Sequence, residues 1–80
     1  MAENNPVREK VVGVNGNLIT VRYTNKVMQN EVAYAHVGGA RLKCEVIRVR
    51  GDVADLQVFE STNGLKVGDE VEFTGELLSV

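Results

Sequence analysis

The sequence holds one cysteine, one histidine and no tryptophan, and these shortages remove whole classes of chemistry. A single thiol closes no disulfide within the chain and builds no thiolate zinc site. Cys44 lies between Lys43 and Glu45 in a strand-like run, which fits a reducing intracellular compartment better than a secreted one. With His36 as the only imidazole, a Ser-His-Asp arrangement would depend on a residue set inside an alternating strand, between Ala35 and Val37, where a structural histidine is the ordinary outcome. Nothing approaches the roughly 18 consecutive apolar residues of a membrane-spanning helix, so no direct membrane contact is expected. The first ten residues, with Glu3, Asn4, Asn5, Pro6, Arg8 and Glu9, lack the apolar core of a signal peptide. Positive charge is not in surplus either. Nine Lys and Arg against eleven Asp and Glu give a formal net charge of −2, the reverse of the basic face that holds nucleic-acid phosphates, so no nucleic-acid partner is expected.

What remains is the material of one small folded domain. Eighty residues suffice for a single core, and an apolar fraction of 44% with 25% charged residues is ordinary for a globular chain. The expected organisation is a polar lead-in over residues 1–9 and a β-domain over 10–80. Lys10 to Val14 is rich in β-branched residues, and Asn15-Gly16 is a hairpin signal. Leu18, Ile19, Val21 and Tyr23 form the next strand, with Thr20 and Arg22 toward water. Thr24 to Asn30 loses alternation and is expected to be a loop that tucks Val27 and Met28 beneath it. Ala33, Ala35 and Val37 alternate with Val32, Tyr34 and His36, and Gly38-Gly39 follows with positive φ expected at both positions of a turn.

The run Ala40 to Arg50 starts in the phase Leu42, Cys44, Val46 and then slips to Ile47 and Val49. Such a slip marks a β-bulge near Val46 and Ile47. After Gly51-Asp52, the residues Ala54, Leu56 and Val58 alternate with Asp55 and Gln57. A compact turn at Leu65 to Asp69 leads to a last strand with Val71 and Phe73 inward. Six short strands, no helix of useful length and the need to hide sheet edges predict an all-β fold, a small closed six-stranded antiparallel β-barrel.

No catalytic, cofactor-binding or metal-binding residues are expected on this chain. The spacing of Gly13, Gly16, Gly38, Gly39, Gly51, Gly64, Gly68 and Gly75 matches strand turns, with no Gly-Lys-Ser, Gly-Lys-Thr or Gly-x-Gly-x-x-Gly among them. Cys44 falls in the inward phase of its strand, where it serves as a small buried hydrophobe. Of the carboxylates Glu31, Glu45, Asp52, Asp55, Glu60, Asp69, Glu70, Glu72 and Glu76, nearly all fall at turns or on outward phases, as solvated charges do. Arg41, Lys43, Arg48 and Arg50 make a basic strand of the kind found in barrels that bind single strands, but stacking aromatics are few. Asp52 and Asp55 across the hairpin offer ion pairs to Arg48 and Arg50 instead. Outward charge nominates Glu31, Arg41, Arg48 and Glu60 as subunit-interface residues.

The second half carries a specific order: Glu45-Val46-Ile47-Arg48-Val49, Gly51-Asp52, Leu56-Gln57-Val58-Phe59-Glu60-Ser61-Thr62-Asn63-Gly64-Leu65, Val67-Gly68-Asp69, Thr74-Gly75-Glu76 and Leu78-Ser79-Val80. From about Val11 onward the chain resembles the N-terminal β-barrel of the nucleotide-binding subunits of V-type and archaeal-type rotary ATPases. The close to Leu77-Leu78-Ser79-Val80 is nearest the catalytic A (alpha) subunit of the bacterial V-type ATP synthase, although Phe73-Thr74-Gly75-Glu76 is shared with the B subunit. The resemblance implies a larger parent, from which this barrel is cut, that binds ATP and Mg at a phosphate loop beyond Val80 and couples ATP synthesis or hydrolysis to proton or sodium transport. It implies a non-catalytic packing role for the barrel beside neighbouring A and B subunits of a hexameric ring, in a cytoplasmic complex peripheral to the membrane. The apolar finish at Leu77, Leu78 and Val80 is expected where a further domain follows. An alternative is a free-standing OB-like or translation-factor-like barrel binding RNA or protein, since Leu65-Lys66-Val67-Gly68-Asp69-Glu70-Val71-Glu72-Phe73-Thr74-Gly75 is similar to the second domain of translation GTPases.

Overall fold

The computed structural model describes residues 8–24 and 26–77. Six strands follow one another: β1 (Arg8–Asn15), β2 (Leu18–Arg22), β3 (Glu31–Val37), β4 (Ala40–Arg50), β5 (Val53–Val58) and β6 (Glu70–Leu77). They close into a barrel in the order β1-β2-β5-β4-β3-β6, with β6 also paired to β1, and every pairing is antiparallel. The expected fold is the observed one. β1 begins at Arg8, so Arg8 and Glu9 belong to the barrel and not to the lead-in; the rest of that lead-in, and Leu78 to Val80, fall outside the described residues.

Three two-residue hairpins share one solution. Gly16-Asn17, Gly38-Gly39 and Gly51-Asp52 connect β1 to β2, β3 to β4 and β4 to β5. The first residue of each has positive φ, at 63°, 59° and 58° in turn, and the second does not. This is the pattern of a type II′ turn, whose twist suits flanking strands and whose first central position demands glycine. The first turn thus lies one residue beyond Asn15-Gly16, and Gly39 needs no positive φ.

Curvature comes from irregular register. Val12 and Ile47 are the extra residues where β1 shifts against β2 and β4 against β5, the second where the phase slip predicts it. A third shift, between β3 and β6, falls across Thr74 to Glu76 and includes Gly75 at φ 79°. Bulges of this kind bend strands round a closed sheet.

The inward residues meet in one core: Val11, Ile19, Val21, Ala33, Ala35, Leu42, Cys44, Val46, Ala54, Leu56, Val58 and Val71. Ala33, Ala35 and Ala54 keep the interior filled without spreading a barrel of only six strands. The β2–β3 and β5–β6 connections cross opposite ends and each inserts one apolar residue, Val27 and Leu65. Met28 does not join Val27 beneath its loop; it is exposed, as is Leu18, which takes the outward phase beside buried Ile19.

Candidate functional site

Strand alternation sorts the polar residues into two sets. Glu9 and Glu31 share the inward phase of Val11 and of Ala33 and Ala35, and both are buried. Their carboxylates are satisfied by backbone N–H groups and, for Glu9, also by a hydroxyl. Glu9 accepts hydrogen bonds from the Thr24 N–H and hydroxyl, both at 3.1 Å, and Glu31 accepts from the Met28 N–H at 3.0 Å and the Gly75 N–H at 2.7 Å. Neither has a basic partner among the described residues. Together they stitch the β2–β3 connection to the barrel, and Glu31 also fixes the irregular turn of β6.

Glu31 was nominated as an outward interface charge. Only 2% of it is exposed, and the structure corrects that expectation. The signal lay in its parity with Ala33 and Ala35.

The outward set forms ion pairs across neighbouring strands. Asp55, 8% exposed, receives Arg50 through Nε at 3.1 Å and Nη2 at 3.1 Å, Arg48 through Nε at 3.4 Å, and the Thr20 hydroxyl at 3.1 Å. Asp52 takes no part in an ion pair among the described residues. The Arg50 hydrogen bonds are the main reason the Asp55 carboxyl lies below its ordinary range, against the opposing pull of burial. Arg8 at 3.2 Å and Lys10 at 3.7 Å reach Glu70 across β1 and β6, and Arg8 above all lowers the Glu70 carboxyl. The Lys66 backbone N–H, with its ammonium, does the same for Asp69 in the β5–β6 connection.

On the β6–β3–β4 face, His36 Nε2 lies 3.2 Å from Glu72, and the Arg41 guanidinium stacks over the Tyr34 ring, 4.3 Å from its centroid. His36 thus joins two strands, as its place in an alternating run implies. Cys44 is fully buried, its thiol 3.3 Å from the Leu42 carbonyl, and burial pushes it up to about 11. A thiol held protonated in this way is a poor nucleophile.

The four nominated interface residues do not converge. Arg41 lies opposite His36 and Arg48 opposite Asp55. Glu31 is inside, and Glu60 is exposed at the far end of the barrel, where its carbonyl accepts the Asn17 amide at 3.4 Å. Among the described residues no group of three or more His, Cys, Asp or Glu is placed to hold a metal ion, and no helix is long and apolar enough to cross a membrane. The arrangement among the described residues is one of ion-paired strips on a closed barrel.

Comparison with known families places this cylinder. The family model for the "ATP synthase alpha/beta family, beta-barrel domain" matches residues 11–75, nearly the whole described barrel. The chain belongs to that family. Similar proteins include the V-type ATP synthase alpha chain of Treponema denticola, 65% identical over 71 residues. The alpha chain 1 of Treponema pallidum is 63% identical over 70 residues, and the alpha chain of Borreliella afzelii 59% over 71. These alignments cover 88–89% of this chain and 12% of each relative, so the chain spans about an eighth of their length. The family resemblance read from the second half of the sequence therefore holds over most of the chain, and the fold of the family's β-barrel domain is the fold observed.

Proposed function

We propose that this chain is the N-terminal barrel of a V-type ATP synthase alpha subunit, the A subunit, and that it serves as a packing module in the crown of a hexameric ring. The observation that carries this reading is 65% identity over 71 residues to an alpha chain, spread over a closed barrel with its core intact. On this reading the neighbours are the barrels of adjacent A and B subunits, and the complex is cytoplasmic and peripheral to the membrane. ATP and Mg bind in another part of the parent, which couples ATP synthesis or hydrolysis to proton or sodium transport. The barrel contributes no catalytic group; its part is stiffness and complementary surface. Type II′ turns, a filled interior and backbone-satisfied carboxylates support that part, because a module that holds subunits in register must not deform as they move.

The test is genetic and direct. The reading frame of the source gene should continue for several hundred codons past Val80 and include a Gly-rich loop ending in Lys and Ser or Thr. A stop codon just after Val80 would refute the proposal and leave a free-standing barrel.

A further inference from the structure

Most basic side chains of the barrel meet a carboxylate of the same chain. Arg8 and Lys10 meet Glu70, Arg48 and Arg50 meet Asp55, and Lys66 meets Asp69. Arg22, Lys26, Arg41 and Lys43 meet none among the described residues, and of these Arg41 and Lys43 stand two apart on one strand. They occupy successive outward positions of β4, flanking buried Leu42, both are exposed, and neither is ion-paired among the described residues. Aromatic residues stand on both sides of them. Tyr34 of β3 is the register partner of Lys43 and lies under the Arg41 guanidinium. Phe59, one position beyond buried Val58, donates its N–H to the Lys43 carbonyl at 3.0 Å and is 46% exposed.

We infer that this face, Tyr34, Arg41, Lys43 and Phe59, is the contact surface for an acidic segment of a neighbouring protein subunit, one that offers two carboxylates and an apolar side chain. The inference rests on the packing role proposed above and names the face that packs. Outward positions two apart on a strand stand roughly 7 Å from one another, a spacing that two carboxylates on an extended or helical segment can match. Stacking on Tyr34 holds Arg41 in place before a partner arrives, which lowers the ordering cost of contact. Arginine and aromatic rings are also the side chains that concentrate binding energy at interface centres, and the exposed Phe59 ring supplies apolar area at the edge.

The surroundings decide against the other occupants. Glu72 beside His36, Glu45 two residues along β4, and Glu60 next to Phe59 border the two cations, and a phosphate backbone crossing the patch would meet them. A second copy of the chain fits poorly. Its exposed acids without a basic partner among the described residues are scattered, with Asp52 and Glu76 toward one end of the barrel and Glu60 at the other, and they make no carboxylate pair of the required spacing.

The experiment titrates the isotopically labelled 80-residue chain with the N-terminal barrel of the B-type subunit from the same organism, following amide shifts. Shifts should concentrate at Tyr34, His36, Arg41, Lys43 and Phe59. The double variant R41E/K43E, with unchanged circular dichroism, should bind at least about tenfold more weakly, and F59A should lose affinity without altering the salt dependence. Binding with shifts on another face, indifferent to R41E/K43E, overturns this assignment while leaving the packing role intact. No binding at about 1 mM subunit removes both. Tighter binding of short oligo(dT) than of the subunit, abolished by R41E/K43E, gives the face to nucleic acid and overturns the inference.

Discussion

Replacing Glu31 by Gln changes one oxygen to an amide nitrogen at a site where both oxygens accept hydrogen bonds. The carboxylate is buried, with one oxygen on the Met28 N–H at 3.0 Å and the other on the Gly75 N–H at 2.7 Å. Gln keeps one acceptor. Its NH2 must then face a backbone N–H, so one charge-assisted hydrogen bond is lost and two donors confront each other away from water. Hydrogen bonds to charged groups contribute about 1.5–3 kcal/mol each, and an unsatisfied buried donor costs about 1–3 kcal/mol. Removing the charge recovers part of its desolvation cost, so a net loss of about 2 kcal/mol is expected for Glu31→Gln. Glu31→Ala strands both N–H groups and opens a void, for about 3–4 kcal/mol. A domain of this size has roughly 4–12 kcal/mol in all, so the Ala variant should be close to unfolding. Urea denaturation followed by far-UV circular dichroism measures both, and at about 4–8 °C per kcal/mol the melting temperature of Glu31→Gln should fall by about 8–16 °C. Amide exchange at Gly75 should accelerate in the same variant. A Glu31→Gln protein within about 0.5 kcal/mol of the parent would refute the reasoning, because it would mean that the two N–H groups find water or another acceptor at no cost.

Three further outcomes follow from the core and the ion pairs. Leu56→Ala, at a fully buried position, should cost about 2–5 kcal/mol with an unchanged urea m-value; a loss under about 1 kcal/mol would contradict the tight interior. The Asp55, Asp69 and Glu70 carboxyls lie below their ordinary range in the folded barrel, so the stability they add is present above the unfolded-state values near pH 4 and drains as pH falls through the lower folded ones. The urea midpoint should therefore drop below about pH 4, and Asp55→Asn should flatten that acid limb; an equally steep limb in the variant would remove Asp55 as a cause. Cys44, held protonated by burial, should react with an aromatic disulfide reagent only at the rate of unfolding, and a fast phase in native buffer would show that the interior opens.

The sequence made the barrel legible because alternation, turn glycines and one phase slip agreed with each other. Val46 to Val49 is the clearest example: a period of two that skips one residue has few physical causes, and the register shift at Ile47 is the one observed. Reading was weaker where backbone chose between near-equal turns, as at Gly38-Gly39, since two glycines permit either sign of φ at the second position. It fails at Glu31 because a carboxylate is taken to seek water, and at Glu9 because the barrel is taken to start at Lys10, while β1 starts at Arg8. Parity pointed inward for both, and only the nearby connection, which supplies donors from Thr24 and Met28, makes that burial tolerable. Asp52 and Asp55 are both expected to pair with Arg48 and Arg50; Asp55 takes both, because it lies directly opposite Arg48 and diagonal to Arg50 on the outward phase while Asp52 is held in the turn.

These corrections bear on what the surface is for. With Glu31 inside and Arg48 held by Asp55, two of the four charges nominated for contact already have partners in their own chain, and breaking those pairs to bind a neighbour would cost about what the new contact returns. A contact surface is better sought where charge is ordered but unpaired. Arg41 meets that condition, since Tyr34 fixes its plane without neutralising it, and Lys43 stands next to it on the same face. The inner carboxylates then matter at a distance. By tying the β2–β3 connection and the turn of β6 to the wall, they hold the start of β3, whose pairing with β4 sets Tyr34 beneath Arg41. Loosening Glu31 should thus weaken binding at the β3–β4 face even though Glu31 touches no partner, whereas Val12→Ser, exposed on β1 three strands from β4 in the barrel order, should leave it unchanged.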